Sequence, residues 1–560
     1  MGNMLPEVDA VTLEVIRNAL VEVAEEMNAN LIRTAYSPNI KERRDCSCAL
    51  FDSRGMMFAQ AECIPVHLGA MPFSVQAAIE AVTDFQPGDT VVLNDPFAGG
   101  AHLPDITFVT PILVGDEVVA FSANRAHHAD VGGKMPASLA GDTTEIYQEG
   151  LRIPPVKLWR RGKLDEDLVR VITANVRTPE ERMGDLRAQK AANETGRRRF
   201  VEVVERYGLD TVLAVIARTQ DYSERRMRAE IERLPDGVYE YEDYLDGGGI
   251  GPERVRISAA VTVRGSELCV DFTGSSEQVE GPINAVYAVT ASATYYAVRA
   301  LTDPDIPPNE GCYRPVEIVA PAGTVVNAVP PAAVVGGNLE TSQRIVDVLI
   351  GALAQAVPQK AVAASQGTMN SVTLGGKDPR SGRPYTIYET VGGGMGGRSD
   401  RDGVDGIQCH MTNTLNTPVE ALEIAYPLRV ERYEFRPDTC GPGRWRGGLG
   451  VRRDIRVVGH RASLSLLGDR RELPPYGLFG GGPGRTGSQY LIIGGEERPA
   501  PARGSLVLEP DTVVSVRTPG GGGYGPPADR PRDMVVQDYR EGRISAEHAI
   551  EHYGFHPRGR

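Results

Sequence analysis

Apolar residues recur at three- and four-residue steps along residues 9–34, which predicts a helix. Asp9 stands directly before this pattern, at a position where its carboxylate can accept hydrogen bonds from the first helical N–H groups. The apolar positions form one stripe, and the residues between them are polar. We therefore expect the helix to pack one face against the core. The stripe consists of Val15, Ile16, Leu20, Val23, Met27 and Leu31.

Short apolar runs separated by turn residues follow this helix and predict hairpins. Residues 52–55 separate one pair of runs, and Gly115-Asp116 interrupts the apolar run over residues 106–123. Residues 72–83 favour a helix. Residues 89–94 favour a short buried strand that leads into a loop rich in Gly and Pro.

Helical and alternating patterns share the rest of the chain. The predicted helices lie within residues 165–233, 285–301, 341–356 and 532–551, the last broken at Gly542, and the predicted strands within 236–273 and 434–518. This mixture predicts an α+β (mixed α/β) protein, and 560 residues exceed what one hydrophobic core usually organises. We expect several domains: an N-terminal α+β region over 1–240, a central α/β region over 241–430, a β-rich domain over 431–525 and a helical tail over 526–560.

Composition and charge exclude several classes of protein. With 41% hydrophobic and 24% charged residues, the chain has the composition of a folded globular protein. A net charge of -14 argues against nucleic acid or an anionic membrane as the partner. No run of 18 or more apolar residues exists, and residues 1–7 lack the features of a signal peptide. The seven cysteines include no CxxC pair, so we expect reduced thiols and a cytoplasmic location.

Candidate chemistry is concentrated in two short segments, residues 94–105 and 124–130. They hold His102, Asp105 and the neighbouring pair His127 and His128, and a strand pair would bring the second segment back to the first. Imidazole and carboxylate together suit Zn²⁺, Mn²⁺ or Fe²⁺ better than Mg²⁺ or Ca²⁺. The pattern thus predicts a metal site. The alternative is that these histidines only satisfy buried loop carbonyls.

Two further segments allow more than one interpretation. In the run from Glu42 to Asp45, a carboxylate can add a ligand to the metal site, whereas we expect Arg43 and Arg44 to be solvated. Gly336-Gly337-Asn338 precedes a predicted helix, where backbone amides can cradle a phosphate, although a tight turn is the simpler interpretation. The chain contains neither a P-loop GxxxxGK[ST] motif nor a GxSxG elbow, which argues against a nucleotide-binding P-loop and a serine hydrolase.

Long motifs along most of the chain identify a family. The chain resembles the B subunits of ATP-dependent hydantoinases and 5-oxoprolinases, which are related to the large subunits of acetone and acetophenone carboxylases. The resemblance extends from about residue 9 to residue 555. It is carried by SPNIKERRDCSCALFD, VHLGAMP, NDPFAGGAHLPD, ANRAHHADVGG, YQEGLRIPPVKL, GPINAV, VGGNLETSQRIVDVLIGAL, ASQGTMN, ETVGGGMGGR, DGVDGIQCHMTNTLNTPVEALE, GRWRGGLGVRR and GGGGYG.

The resemblance implies a division of labour between two kinds of subunit. An A-type ATPase subunit phosphorylates the oxygen of a cyclic amide, and the B subunit, which holds one divalent metal, completes ring opening by water attack. It implies a hetero-oligomer with two or more copies of each subunit. The alternatives are a subunit of an ATP-dependent ketone carboxylase and a non-catalytic scaffold for the ATPase subunit.

The resemblance also implies roles for particular residues. The metal ligands would be Asp45, His102, Asp105 and His127, because related carboxylase subunits place the last of these ligands 25 residues after the first histidine. His128 would then orient a ligand or contact the substrate. Asp130 and Glu149 are candidate bases or supporting carboxylates. Arg125 and Arg152 are candidates to offset the charge of a phosphorylated intermediate.

Overall fold

The computed structural model describes residues 6–61, 64–248 and 253–557. The helices are α1 (Ala10–Thr34), α2 (Pro38–Lys41), α3 (Pro65–Ala81), α4 (Glu166–Ala174), α5 (Pro179–Tyr207), α6 (Leu209–Ile231), α7 (Tyr287–Leu301), α8 (Ser342–Leu353), α9 (Val419–Ala425), α10 (Arg532–Arg540) and α11 (Ala546–Tyr553). In the N-terminal part, the strands are β1 (Cys46–Asp52), β2 (Met57–Gln60), β3 (Thr90–Leu93), β4 (Asp105–Val114), β5 (Glu117–His127), β6 (Val156–Arg160) and β7 (Lys163–Leu164). They continue with β8 (Gly237–Leu245), β9 (Val255–Arg264), β10 (Glu267–Asp271), β11 (Val316–Val319), β12 (Ser371–Lys377), β13 (Pro384–Thr390), β14 (Leu428–Phe435), β15 (Val451–Val457), β16 (Ala462–Leu467), β17 (Ser488–Ile493), β18 (Glu496–Pro499), β19 (Arg503–Leu508) and β20 (Val513–Arg517).

The N-terminal strands form one antiparallel sheet in the order β2-β1-β5-β4-β3-β6-β7. Helices α1 and α5 pack on one face of this sheet, and α3 packs on the other. Side chains alternate between the two faces of a strand, so neighbouring residues of β5 contact different helices. This alternation decides which polar residues of the sheet meet under α3.

Helices α3, α7 and α8 connect the first sheet to a second, whose order is β11-β10-β9-β8. The contact between α3 and α7 is close, since a Cβ atom on Gly69 would lie 2.5 Å from Ser292 Oγ. Two further sheets, β13-β12-β16-β19 and β14-β15-β20-β17-β18, share a separate apolar core. Within the described ranges, no helix is long and apolar enough to cross a membrane.

The predicted α+β (mixed α/β), multidomain class is confirmed, with several sheets and helices along the chain. Asp9 caps α1 as expected, accepting hydrogen bonds from Val11 N and Thr12 N at 3.0 Å. The helix predicted over 72–83 begins earlier, at Pro65, and Pro72 lies inside it. The division at residues 240, 430 and 525 stays a prediction. The largest apolar core draws on residues from Ala49 to Leu467.

Candidate metal centre

Three adjacent strands end at the same point of the first sheet and place acidic and imidazole side chains together. Asp105, the first residue of β4, pairs directly with His127, the last residue of β5. On the other side of β5, the His127 amide donates to the Asp45 carbonyl at 3.0 Å, one residue before β1 begins. Residues paired across strands point to one face. All three side chains are buried.

The loop between β3 and β4 brings His102 to this point. Gly99 has a φ of 84°, and a Cβ atom on Gly100 would lie 2.6 Å from the Asp95 carbonyl oxygen, so the tight turn depends on glycine. Asn94 Nδ2 donates to the carbonyls of Leu103 and Leu151 at 2.7 and 2.9 Å, which fixes the end of the loop. The Nε2 atom of His102 then lies 3.2 Å from Asp105 Oδ1.

His102, Asp105 and His127 form a group whose ligand atoms all lie within 4.8 Å of one another. His102 Nε2, Asp105 Oδ1 and His127 Nε2 are buried, and none makes a hydrogen bond within the described chain. The other ring nitrogen of His102 lies 3.2 Å from the Val335 carbonyl oxygen, which leaves the Nε2 lone pair directed at the group. Converging donors without hydrogen-bond partners fit a divalent ion held by imidazole and carboxylate.

His67, in the first turn of α3, joins the same group, although the sequence did not single it out. Its Nε2 lies 3.3 Å from Asp105 Oδ1 and 3.7 Å from Asp45 Oδ1. Its Nδ1 lies 3.3 Å from Ser47 Oγ. The only sequence feature that pointed to His67 was its place in the VHLGAMP motif. His67 therefore lies between the two carboxylates and helps to orient both.

Burial and neighbouring charge set the protonation of the group. Burial alone raises the pKa of a carboxyl, but the imidazoles of His102 and His67 hold the pKa of Asp105 well below its usual range. Burial, followed by the His102 charge, holds the pKa of His127 well below its usual range. Burial raises the pKa of Asp45, against the charges of His67 and Arg43. An ionised carboxylate beside a neutral imidazole is the state in which these groups bind a metal.

His128 and Asp130 lie apart from this group. His128 faces α5, where its Nε2 lies 2.9 Å from Gln189 Oε1, and burial lowers its pKa to about 4. The carboxylate of Asp130 accepts hydrogen bonds from the Arg177 side chain and from the backbone amides of Arg177, Ala137 and Gly132. The catalytic roles of both residues stay predictions, and their placement does not favour them.

Arg125 and Glu149 make contacts that support the group, whereas Arg152 does not. Arg125 lies on the α3 face of β5 and donates to Thr107 Oγ1 and Ser74 Oγ at 2.9 and 2.7 Å, and burial lowers its pKa to about 10. Glu149 accepts hydrogen bonds from the amides of Val334 and Val335, so it fixes the carbonyl that faces His102. Arg152 instead pairs with Asp95 at 3.1 Å.

The prediction that Arg43 is solvated is wrong, while Arg44 is exposed as expected. Arg43 is 1% exposed, because its guanidinium donates to Asn39 Oδ1, the Tyr388 carbonyl and Thr390 Oγ1. The Tyr388 ring stacks on His127, with 4.7 Å between the ring centroids. The hydrogen bonds of Arg43 thus hold Tyr388 and Thr390, which are distant in sequence, next to the metal group.

Glu340, which no sequence pattern indicated, is a further buried carboxyl in this part of the structure. Its Oε1 accepts a hydrogen bond from the Met369 amide at 3.3 Å, and its Oε2 finds no partner among the described residues. Burial raises its pKa to about 7, with Asp469, Arg503 and Arg471 as the charged groups that act on it. The folded protein therefore favours the protonated carboxyl.

Replacing Glu340 with glutamine is expected to remove a pH-dependent loss of stability. In the wild type, the protonated carboxyl contributes stability that is fully present below the unfolded pKa of about 4.5 and is lost as the pH rises through about 7. We expect the free energy of unfolding of Glu340→Gln, relative to that of the wild type, to increase by about 3 kcal/mol as the pH is raised from 4.5 to 8. Urea denaturation across this range measures it, with Glu472→Gln at the surface as the matched control. Parallel curves for Glu340→Gln and the wild type would contradict the assignment.

Comparison with known proteins finds close relatives along the whole chain. The family model described as Hydantoinase B/oxoprolinase matches residues 9–527. The putative D-/L-hydantoinase B subunit of Pseudomonas sp. (strain NS671) is 35% identical over 571 residues, covering 98% of this chain and 95% of that protein. The crystal structure of ATP-dependent caprolactamase from Pseudomonas jessenii matches with a TM-score of 0.92 at 33% identity, covering 99% of this chain and 97% of that chain. Nucleotide-free acetone carboxylase has the same fold, with a TM-score of 0.89 at 19% identity over 99% of this chain and 80% of that chain.

Proposed function

Because this chain belongs to the hydantoinase B/oxoprolinase family, we propose that it is the B subunit of an ATP-dependent cyclic amidase. In this role it opens a lactam or imide ring whose oxygen a partner A-type subunit has phosphorylated. The observation that carries the assignment is the buried group of His102, Asp105 and His127, whose unpartnered donor atoms converge. The related hydantoinase B subunit and the related ATP-dependent caprolactamase support the substrate class.

The chemistry of ring amides explains why such a group is needed. Resonance makes the amide carbonyl a poor electrophile, and phosphorylation of its oxygen removes that resonance. A divalent ion held by this group supplies Lewis-acid chemistry that makes water nucleophilic near neutral pH. Within the chain, His102, Asp105 and His127 would hold the ion with Asp45, and Zn²⁺, Mn²⁺ and Fe²⁺ fit these donors.

Other residues of the chain would keep these donors in place. Glu149 acts through Val335 on His102, and His67 lies between the two carboxylates. Arg125 is buried on the same face of the sheet, where its charge acts on Asp105. It is the closest cation in sequence to His127 on that face, which suits the role of offsetting the charge of a phosphorylated substrate.

Reconstitution with an A-type subunit tests the proposal. We expect the chain alone to open no cyclic amide, and the two-subunit complex to open one in the presence of ATP. The screen covers hydantoins, 5-oxoproline and larger lactams, with ADP and the ring-opened product measured together. Equal turnover by the chain without ATP or partner would contradict the proposal.

A ketone carboxylase is the second candidate, because the fold is shared with acetone carboxylase. The same reconstituted complex separates the two reactions when it is given ketones and labelled bicarbonate. Label in a carboxylated ketone, with no ring opening, would replace the amidase by the carboxylase. If substitutions at Asp45, His102 and Asp105 left the activity of the complex unchanged, the chain would be a scaffold for the ATPase subunit.

A further inference from the structure

A small pocket lies directly beside the metal group. Its polar lining consists of Asp45, His67, His127, Asn338, Tyr388, Thr390, Thr412 and Thr414. Apolar side chains complete the lining, those of Ile64, Val66, Leu339 and Met369. The pocket has a volume of about 20 Å³, which accommodates one water molecule but not a lactam ring. The threonine hydroxyls can each donate or accept a hydrogen bond.

The orientation of the Asn338 amide is fixed by its neighbour. Asn338 Nδ2 donates to Asp105 Oδ2 at 3.4 Å, and only the nitrogen of an amide can face a carboxylate in this way. The oxygen, Oδ1, is therefore the atom left for another partner. Asn338 is 2% exposed, and Oδ1 has no hydrogen-bond partner in the described part of the chain.

The backbone around Asn338 holds this amide in place. Asn338 lies in the π-helical turn Gly337–Thr341, which precedes α8, and such turns are frequent at functional sites. Ser342 Oγ donates to the Asn338 carbonyl at 2.8 Å. Gly337 packs so closely on the Asn284 carbonyl that a Cβ atom would collide with it. This contact requires glycine at position 337.

We propose that Asn338 positions the attacking water of the ring-opening reaction. This inference rests on the proposed function. A buried acceptor oxygen without a donor is unfavourable, and a pocket of one-water size supplies the donor. The water donates one hydrogen to Asn338 Oδ1, and this contact orients the lone pairs of the water oxygen. Because an amide oxygen accepts no proton at neutral pH, Asn338 orients the water and does not deprotonate it.

The water oxygen forms a bond to the ring carbon that bears the phosphorylated oxygen, and the bond between that carbon and the ring nitrogen breaks. Both water protons end on the ring nitrogen, which leaves as an amine. The acyl phosphate that remains is hydrolysed by a second water to a carboxylate and inorganic phosphate. Asn338 acts on the first of these two water attacks.

Substitution of Asn338 in the reconstituted complex tests this role. For Asn338→Ala we expect kcat for ring opening to fall about 100-fold, because the water is no longer held in line, while KM for the cyclic amide changes less than about threefold. The amount of ATP consumed per ring opened should rise, since an intermediate that waits longer for ring opening loses its phosphoryl group to water more often, which releases inorganic phosphate and returns the cyclic amide. The divalent metal content per chain should equal that of the wild type. Asn338→Ser, whose hydroxyl is too short to reach the position of Oδ1, should give the same pattern.

Several outcomes would overturn the proposal. A raised KM at unchanged kcat would show that the Asn338 side chain binds the substrate ring instead. Loss of the metal would show that Asn338 acts only through Asp105. Unchanged kinetics would remove Asn338 from the reaction. The matched control is Asn175→Ala, at the exposed C-terminal end of α4, and thermal unfolding midpoints confirm that each variant is folded. Failure of the proposed function is distinguishable, because the wild-type complex would then open no cyclic amide.

Discussion

Replacing His102 with alanine is expected to abolish both metal binding and ring opening in the two-subunit complex. His102 supplies one of three converging donor atoms, and the Val335 carbonyl fixes which ring nitrogen points at the group. Loss of a residue that only orients a metal ligand lowers metal affinity by about 10–100-fold, so loss of the ligand itself should exceed this. We expect turnover to fall by at least about 1000-fold, because the nucleophilic water depends on the ion.

Metal analysis after dialysis, together with product formation, measures both effects of His102→Ala. The matched control is His552→Ala, in α11, whose side chain is 31% exposed and is expected to retain metal and activity. His67→Gln should fall between the two, because His67 lies beside both carboxylates without being one of the three converging donors. A His102→Ala protein with the metal content of the wild type would remove His102 from the site.

The local part of this site was predictable from the sequence. The Gly-rich loop and the hairpin bring His102, Asp105 and His127 together through contacts between near neighbours in the chain, and period-two alternation accounts for His128 facing the other way. From the pattern, the run from Glu42 to Asp45 offered only a possible carboxylate ligand, and Asp45 itself was assigned from the family resemblance. Its strand joins the sheet on the far side of β5. The sequence pattern alone does not specify that β1 pairs with β5.

The pocket residues that come from outside the N-terminal sheet could not be predicted from the sequence. Asn338, Tyr388 and Thr414 come from three distant segments, and no period or spacing relates them to residues 94–130. Arg43 illustrates the reason, since its neighbours in sequence are those of a solvated charge run, whereas all of its hydrogen-bond acceptors except Asn39 lie within residues 388–415. The Gly-rich runs at residues 392–397 and 520–523 are a second example, because their composition predicts only tight turns. In the structure these two runs are hydrogen-bonded to each other or to shared neighbours. One such bond joins Gly397 N to the Gly522 carbonyl at 2.8 Å.

A buried ion network holds α8, and therefore Asn338 in the turn before it, against two sheets. Arg344 is fully buried in α8, with Nη2 2.6 Å from Asp469 Oδ2 and Nη1 3.2 Å from Asp243 Oδ2. Asp243 is in β8, and Asp469 follows β16. Arg470 extends the network, since its Nη2 lies 2.7 Å from both Asp243 and Asp347. Each carboxylate is thus compensated by more than one cation, because Arg503 also contacts Asp469.

Replacing Arg344 with methionine is expected to destabilise the protein by about 3–5 kcal/mol. Methionine fills part of the volume but leaves Asp469 and Asp243 each with one cation fewer, and removing a cation from a buried ion network is far more costly than losing a surface ion pair. The shift of the urea midpoint at a common slope measures the effect. The matched control is Arg198→Met in α5, because the Arg198–Glu202 pair has side chains that are 60% and 41% exposed. We expect that control to change stability by less than about 1 kcal/mol.

The double variant Arg344→Met with Asp469→Asn separates charge compensation from packing. If the cost of Arg344→Met comes from the buried charge of Asp469, neutralising that charge should make the double variant more stable than the sum of the two single changes predicts. If the cost comes only from lost packing of the arginine side chain, the two changes should add. Recovery will be incomplete in either case, because Asp243 still lacks the Arg344 cation and Arg503 loses its anionic partner. Equal midpoint shifts for Arg344→Met and Arg198→Met would show instead that the network contributes no more than a surface pair.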